Sequence, residues 1–470
     1  MVNIGLDMLL SRKIRWCNIR IAAGIMVLLL FLLAGSAGAV PVEEWNKTFG
    51  GTKDDNAYSV AQTRDGGYIL AGWTESCGAG KKDAWLIKTD ANGSEQWNKT
   101  FGGKGDDGAH SVQQTSDGGY ILAGYTESYG AGKHDVWLVR TDAEGIELWN
   151  RTFGGANDDE AYSVRQISDG GYVLAGNTYS YDAGNHNAWI IKTNTNGNEV
   201  WNRTGDDLWN RKNGISEANS IEETRDSGYI FAGMTSVEDG GPMAAWLVKT
   251  DADGKQQWSR TFGGHADWAN SVRQTLDSGY VFAGKMYIPG GALAWLIKTD
   301  ANGKQQWSRT FGGLSSAEVY RVETWANSVQ QTSDGGYILA GYTVLYKSGM
   351  TNAYALLIKT DAEGNEQWNR TFGGTSGDAA YSVQQAKDGG YILAGNTKSI
   401  ESGGSDAWLI KVDGAPVETA EAPTASPTST LIPVPTEPLK VSPTEKAAGF
   451  EIVLAITILL AVYIAGRRRK

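Results

Sequence analysis

The sequence predicts an all-β protein, a seven-bladed β-propeller built from four-stranded blades. A motif that begins with tryptophan recurs seven times, and each copy contains four short segments typical of strands. The chain has 61 glycines and 18 tryptophans but only 10 prolines among 470 residues, as expected for tight turns between aromatic-rich strands. The order of segments in the first and last copies further predicts a closed ring.

The repeat is recognised by the motif Trp-Asn-Lys-Thr-Phe-Gly-Gly and its variants. Successive copies start 52, 52, 52, 57, 49 and 61 residues apart. A regular period of about 50 residues indicates a propeller or solenoid rather than three unrelated domains. A Trp-rich β-solenoid is the alternative, although such units are long for its coils. The copies begin at Trp45, Trp97, Trp149, Trp201, Trp258, Trp307 and Trp368.

The unit that spans residues 111–153 illustrates the four strands, named a to d. Residues 111–115 form strand a, 120–126 strand b, 136–141 strand c and 147–153 strand d. Strands b and c are continuously apolar, which is expected when both faces of a sheet are covered. Strand d alternates between apolar and polar residues, which is expected at a half-exposed outer edge.

The ends of the repeat region predict how the ring closes. A strand d at Trp45 precedes the first strand a, and the last strand c ends near Asp413 without a strand d behind it. The N-terminal strand should therefore complete the seventh blade, in a propeller spanning 43–414.

Two copies depart from the pattern. Residues 205–217 are inserted in the fourth copy and residues 314–324 in the sixth, where Leu356 also replaces the strand-c Trp. The insertions are interpreted either as binding loops or as neutral drift.

The chain ends predict an exported, anchored protein. Residues 1–39 have the basic, apolar and small-residue regions of a signal peptide, with an uncleaved signal anchor as the alternative. Residues 415–446 form a Pro/Thr/Ser-rich stalk that holds seven of the ten prolines. Residues 449–466 are a transmembrane helix, and 467–470 a basic tail that the positive-inside rule keeps cytoplasmic.

Charge and cysteine content exclude some classes of function. The formal charge is −11, and loss of residues 1–39, with four bases and one acid, would make it −14. That sign argues against a nucleic-acid partner. Cys77 is the only cysteine beyond the signal, so no internal disulfide is possible.

The repeats and the tail resemble known families. Trp-x-x-Thr-Phe-Gly-Gly and Gly-Tyr-Ile-Leu-Ala-Gly-x-Thr resemble the SBBP-type bacterial and archaeal propeller repeats, and residues 299–307 resemble the docking motif of quinoprotein propellers. The last 25 or so residues resemble the PGF-type C-terminal sorting signal of euryarchaeal surface proteins. That resemblance implies removal of the helix and retention by a lipid, although Ala448 stands where the family has Pro.

Acidic loops between strands d and a are candidates for calcium, the one cofactor considered. Oxygen-rich clusters suit hard cations, but no loop has EF-hand spacing. The alternative is that the aspartates cap turns by accepting hydrogen bonds from nearby backbone amides. The candidates are Asp54, Asp55, Asp106, Asp107, Asp158 and Asp159, with Asp267 and Asp378 at related positions.

The rim before each b-to-c loop is a candidate ligand site. The equivalent residue differs among copies, and Trp73, Tyr125 and Tyr342 are its aromatic members. Such variety could bind a carbohydrate or a peptide, or reflect tolerance of any side chain at an exposed rim.

The repeated tryptophans of strands c and d are interpreted as core packing between blades. His134 and His186 occupy equivalent loops but make no metal site on their own.

Six sequons predict N-glycosylation of an exported glycoprotein. They could also recur only because the copies share an origin. The favoured hypothesis is a non-catalytic, archaeal surface module for adhesion, binding or envelope (S-layer-associated) structure, with an envelope glycan or surface protein as partner. The alternative is a glycan-active or quinoprotein-like enzyme, although no catalytic residue is identified. The sequon asparagines are Asn46, Asn92, Asn98, Asn150, Asn202 and Asn369.

Overall fold

A computed structural model describes most of the repeat region. The described residues are 41–181, 186–204, 215–236, 241–312, 319–347, 350–374, 376–399 and 403–414. The predicted signal, stalk, transmembrane helix and basic tail lie outside these ranges, so they stay predictions. Within the described part of the chain, no helix is long and apolar enough to cross a bilayer.

The described residues form 28 strands. The first fourteen are β1 (Glu43–Phe49), β2 (Asp55–Gln62), β3 (Tyr68–Thr74), β4 (Asp83–Thr89), β5 (Glu95–Phe101), β6 (Asp107–Gln114), β7 (Tyr120–Thr126), β8 (Asp135–Thr141), β9 (Glu147–Phe153), β10 (Asp159–Gln166), β11 (Tyr172–Thr178), β12 (Asn187–Thr193), β13 (Glu199–Thr204) and β14 (Ser216–Glu223). The remaining fourteen are β15 (Tyr229–Ser236), β16 (Met243–Thr250), β17 (Gln256–Phe262), β18 (Trp268–Gln274), β19 (Tyr280–Ile288), β20 (Gly291–Thr299), β21 (Gln305–Phe311), β22 (Val319–Gln331), β23 (Tyr337–Lys347), β24 (Met350–Thr360), β25 (Glu366–Phe372), β26 (Ala379–Gln385), β27 (Tyr391–Thr397) and β28 (Asp406–Val412).

The strands pair into seven four-stranded antiparallel units, which we number as blades 1 to 7 from β2 onward. Blades 1 to 6 each contain four consecutive strands, and blade 7 contains β26, β27, β28 and β1. The prediction that the N-terminal strand completes the last blade is confirmed, because Asn46 pairs with Ile410 and Phe49 with Ala407. This propeller architecture agrees with the repeated sequence pattern.

Hydrogen bonds from backbone N–H groups to serine close the circle of inner strands. In every blade a strand-a serine accepts, through its Oγ, the backbone N–H of the strand a in the next blade, at 3.2–3.3 Å. The seventh bond runs from Val60 of blade 1 to Ser382 of blade 7. The seven serines are Ser59, Ser111, Ser163, Ser220, Ser271, Ser328 and Ser382.

Tryptophan from each outer strand packs against the next blade. Trp45 of β1 contacts Tyr68 of β3 with ring centroids 6.0 Å apart, and six equivalent pairs lie at 5.7–5.9 Å. A Cβ on Gly93 would stand 2.5 Å from the Trp45 ring, so this turn requires glycine, whose φ there is +76°. The interpretation of the strand-d tryptophans as inter-blade core is confirmed.

A cation in every strand c forms an ion pair with the turn after strand a, and it is buried in every blade except blade 3, where Lys192 is half-buried. Lys88 meets Asp65 at 2.8 Å, and the other five lysines lie 2.8–3.0 Å from their aspartates. Arg140 and Asp117 replace the pair in blade 2. These ion pairs lie at the end of each blade opposite the b-to-c loops, so they belong to the scaffold.

The structure corrects three predicted boundaries. Strand a of blade 2 begins at Asp107 rather than at residue 111, because a bulge between Ala109 and Ser111 lets the polar residues before it stay in the sheet. Ser216 and Glu217, predicted as inserted loop, belong to β14. Residues 319–324 of the second insertion extend β22, which makes a short parallel contact with β20 and joins blades 5 and 6.

Candidate functional site

The b-to-c and d-to-a loops lie together at one end of the ring of inner strands. Backbone bonds join them, such as Glu75 N–H to the Asp54 carbonyl at 3.0 Å and Glu127 N–H to that of Asp106 at 2.9 Å. At this end, the variable rim residue of strand b pairs across the sheet with the strand-a residue three positions before the bonding serine, as Lys285 does with Trp268. We call these paired positions the channel mouth.

The residue types at the channel mouth differ from blade to blade, whereas those of the scaffold repeat. In both sets of seven positions five residue types occur, whereas the bonding serine is present in all seven blades. The strand-b positions are Trp73, Tyr125, Asn177, Met234, Lys285, Tyr342 and Asn396, and their strand-a partners are Asn56, Gly108, Glu160, Glu217, Trp268, Trp325 and Ala379.

The predicted rim residues lie at the mouth but are largely covered by neighbouring side chains. Trp73 donates its indole N–H to Tyr58 Oη at 3.1 Å, and Lys82 lies 4.2 Å from its ring centroid. Tyr125 packs on His134 with ring centroids 4.5 Å apart. Tyr342 is half-buried against Trp325, at 5.2 Å. The three predicted aromatics therefore belong to three different blades, 1, 2 and 6, and each packs within its own blade.

The second aspartate of each predicted calcium pair is buried and engaged by its own loop. Asp107 accepts hydrogen bonds from the Gly103 N–H at 2.9 Å and the Ser128 hydroxyl at 2.6 Å. Asp55, Asp159 and Asp378 accept equivalent bonds, and Asp267 accepts the N–H groups of Gly264 and Tyr287. These bonds support the turn-capping interpretation.

The first aspartate of each pair turns toward the neighbouring blade instead. Asp106 lies 3.4 Å from Lys81 Nζ, and Asp158 lies 3.2 Å from Lys133 Nζ. Asp54 accepts the Ser405 N–H at 2.7 Å. Among the described residues, no group of three or more His, Cys, Asp or Glu side chains could hold a metal ion. Calcium binding stays a prediction that these contacts do not favour.

Two histidines bridge successive blades to glutamates at the mouth. His134 Nδ1 lies 3.0 Å from Glu160 Oε1, and its Nε2 lies 3.4 Å from Glu127. His186 Nε2 lies 3.1 Å from Glu217 Oε1. Glu160 and Glu217 occupy the same strand-a position in blades 3 and 4, and no other blade has an acid there. They are the functional candidates that sequence reasoning missed.

His134 and Glu160 shift the pKa of each other at the channel mouth. The hydrogen bond to Glu160 raises the pKa of His134. Burial alone would raise the pKa of Glu160, but the hydrogen bond from His134 and the nearby His110 hold it below its ordinary value. Burial lowers the pKa of His110, which is enclosed by Tyr58 and Tyr162. The contact between these two side chains therefore favours the protonated form of His134 and the ionised form of Glu160.

A second ring of side chains lies directly below the mouth. Asn219, Asn270 and Asn327 donate their amide N–H groups to strand-a carbonyls of the following blades at 2.9–3.1 Å. Tyr58 packs on Tyr381 with ring centroids 5.0 Å apart. Because the three asparagines are bonded to the next blade and the tyrosines pack on each other, this ring forms a floor beneath the variable positions.

Lys285 lies between two indoles in the slot between blades 5 and 6. Its Nζ is 3.5 Å from the ring centroid of Trp325 and 3.9 Å from that of Trp268. Burial lowers the pKa of Lys285 to about 8, although Glu323 and Glu217 act in the opposite direction. Its side of the mouth is thus aromatic and basic, whereas the Glu160 side is acidic.

Five of the six sequon asparagines share a structural role. Asn98 and Asn202 accept the indole N–H of the strand-c tryptophan at 3.3 Å, and Asn46 does so at 3.4 Å. Blades 4 and 5 use Ser259 and Ser308 as acceptors at this position, at 2.8 and 2.7 Å. The five strand-d asparagines, Asn46, Asn98, Asn150, Asn202 and Asn369, also donate to a glutamate three residues earlier, whereas Asn92 lies on an exposed turn.

Comparison with known proteins supplies no family. No family model matches the chain, and no curated protein matches its sequence. Similar solved structures include the WD40 domain of Neurospora crassa Pan2, with 10% identity, coverage of 78% of this chain and 90% of that one, and a TM-score of 0.45. Sqt1 from Chaetomium thermophilum has 10% identity, coverage of 80% and 100%, and a TM-score of 0.43.

A third similar structure is an enzyme. A mutant of puromycin hydrolase has 11% identity, coverage of 74% of this chain and 51% of that one, and a TM-score of 0.46. With TM-scores below 0.5, the three similarities carry no argument about ligand or activity. The architecture follows from the strand pairing of the chain itself.

Proposed function

We propose that the chain is a non-catalytic recognition module of an archaeal cell surface, anchored through its C-terminal segment, and that the channel mouth binds an envelope glycan. The observation that carries the proposal is the contrast between positions. Serines, strand-d tryptophans and ion pairs repeat in all seven blades, whereas the mouth positions differ from blade to blade.

That contrast favours a single ligand site over a purely structural ring. Seven copies of a scaffold contact need no asymmetry, but a site for one ligand needs different groups on its different sides. The mouth combines aromatic side chains, which can pack on sugar rings, with a few charged groups that can fix an orientation. The predicted signal, stalk and membrane segment support an extracellular position for this site.

Binding to a glycan array and to isolated cell envelopes tests the proposal. The detergent-solubilised chain should bind saturably, and Trp73→Ala and Tyr342→Ala should weaken binding about tenfold. The matched control is Leu276→Ala, because Leu276 is 74% exposed in a turn after strand a, at the opposite end of the blades. Repeating the assay with calcium and with a chelator tests the cation prediction. Absence of binding under all conditions would contradict the proposal.

Surface location is tested separately. Protease added to intact cells should remove the propeller region, whereas cytoplasmic proteins remain intact. Recovery of the chain only in the cytosolic fraction would contradict an anchored, extracellular module.

A glycan-active enzyme is the second candidate, and the Glu160–Glu217 pair favours it. Catalysis by paired carboxylates needs one asymmetric cluster, and these acids are absent from the equivalent positions of the other five blades. Both are engaged by histidines, however, so neither is an evident proton donor. Incubation of array-positive glycans with the chain and with Glu160→Gln or Glu217→Gln tests this candidate. New glycan chain ends that depend on both acids would support the enzyme. Intact glycans would favour the non-catalytic binding module.

A further inference from the structure

Lys285 differs from the buried cations of the scaffold in having no ion pair with any described carboxylate. The strand-c lysines, such as Lys298 at 2.8 Å from Asp277, each have an aspartate partner. Lys285 is only 7% exposed, and its closest polar contact in the described chain is Tyr287 Oη at 3.5 Å. Burial of a charge without a partner is costly, so this arrangement requires a physical reason.

The surrounding aromatic rings compensate only part of that cost. Trp325, Trp268 and Tyr287 place their ring centroids 3.5, 3.9 and 5.1 Å from Nζ. The ring faces attract the ammonium electrostatically, but they offer no lone pair to its three N–H donors. The site therefore holds a cation whose one hydrogen-bond acceptor in the described chain, Tyr287 Oη, lies at a long 3.5 Å.

The nearest acid is already committed to other partners. Glu323 forms an ion pair with Arg321, and it accepts a hydrogen bond from Tyr346 Oη at 3.2 Å. Arg321 is paired with Glu323, so no described carboxylate is left to form an ion pair with Lys285. One ligand carboxylate would neutralise it and supply the missing acceptors.

We propose that Lys285 binds the carboxylate of a uronic acid residue in an acidic glycan, with Trp268 and Trp325 packing beside the sugar ring. This inference rests on the proposed function and specifies its substrate class. Glu160 and Glu217, at the strand-a mouth positions of blades 3 and 4, would repel additional negative charge. The site therefore suits a glycan with isolated carboxylates better than a densely charged polyanion.

Titration calorimetry of the full chain in detergent tests the inference, with trigalacturonate as the probe and its methyl ester as the neutral match. The acid should bind about tenfold or more tightly than the ester, as expected for one charge-assisted hydrogen bond. Lys285→Met should abolish this preference, and Lys285→Arg should keep it. Lys133→Met is the matched control, because Lys133 is an exposed lysine at the same end, paired with Asp158.

A pH series provides a second readout that needs no variant. Because the pKa of Lys285 is lowered to about 8, affinity for trigalacturonate should fall between pH 7 and pH 9, while affinity for the ester stays constant. This series decides the matter if Lys285→Met fails to fold, which circular dichroism would reveal.

Three outcomes would overturn the inference. Equal affinity for acid and ester, an undiminished preference in Lys285→Met, or binding of oligoglutamate in place of trigalacturonate would each exclude uronate recognition by Lys285. Failure of the proposed function is distinguishable, because then no array or envelope glycan would bind at all. Binding of neutral glycans with no preference for the acid would overturn only the inference.

Discussion

Ser382 Oγ accepts the backbone N–H of Val60 at 3.2 Å although 322 residues separate them along the chain. The same bond joins neighbouring copies at the other six interfaces, so ring closure uses the contact that joins consecutive blades. We expect Ser382→Ala to lower the free energy of unfolding by about 1–2 kcal/mol, because the Val60 N–H loses its acceptor. Ser220→Ala, at an interface within the chain, should cost the same. Urea unfolding measures both, and an effect of Ser220→Ala alone would contradict equivalent closure.

Removal of the first strand should expose the edge of β28. A chain that lacks residues 41–49 loses the pairing of β1 with β28 and the packing of Trp45 on Tyr68. The open edge should promote dimers or aggregates, measured by light scattering after size exclusion. A synthetic peptide of residues 41–52 should restore the monomer. A monomeric truncated chain of unchanged stability would show that closure contributes little.

Acid should weaken the seven ion pairs of the scaffold. Burial would raise the pKa of Asp65 and Asp277, but hydrogen bonds from the buried lysines lower each to about 2, from an ordinary value of 3.8. When folding lowers the pKa of a carboxyl group, its ionised form stabilises the folded state at every pH above the unfolded pKa. This stabilisation is lost as the pH falls through the folded pKa. The melting temperature should therefore fall between pH 4 and pH 2. Asp277→Asn should melt lower at pH 7 and lose less on acidification.

The His134–Glu160 pair should give stability the opposite pH dependence near neutrality. The hydrogen bond to Glu160 raises the pKa of His134 above its ordinary value of 6.5. The stability that this pair contributes is therefore complete below pH 6.5 and is lost as the pH rises through the folded pKa. The melting temperature should fall slightly from pH 6 to pH 8, and His134→Gln should remove this slope. An identical slope in the variant would assign the effect to another group.

Asn98 allows a test that separates packing from glycosylation. Its amide oxygen accepts the indole N–H of Trp85 at 3.3 Å, and serine performs the same role in blades 4 and 5. Asn98→Ser removes the sequon but should preserve stability. Asn98→Val should cost about 1 kcal/mol, because it leaves the indole N–H without this acceptor. Equal stability of the two variants, measured without glycans, would contradict the structural role.

The sequence predicts the scaffold well because each blade repeats the same local signals. The predicted limits 120–126 and 147–153 coincide with β7 and β9. The predicted strand a began too late, because Asp107 and Gly108 are residue types typical of turns. The bulge that accommodates them in the strand depends on pairing with β7, which the local sequence does not show.

The site was only partly predictable. The rim position was visible because it immediately precedes variable loops. Glu160 and Glu217 were missed because their position gains meaning only from pairing with the rim, although its variability from copy to copy was a usable signal. The enclosure of Lys285 could not be foreseen, because its two indoles come from strands 57 residues apart, at Trp268 and Trp325.

The shared blade of β1 and β28 also sets an order of events during synthesis. The first described strand leaves the ribosome with no partner and must wait until Val412 has been made before its sheet can form. Intermediate lengths of chain can pair strands within blades, but none can complete the circle. A chain that stops before β28 therefore leaves β1 without its paired strand, and blade 6 without the part of its cover that Trp408, Ile410 and Val412 supply.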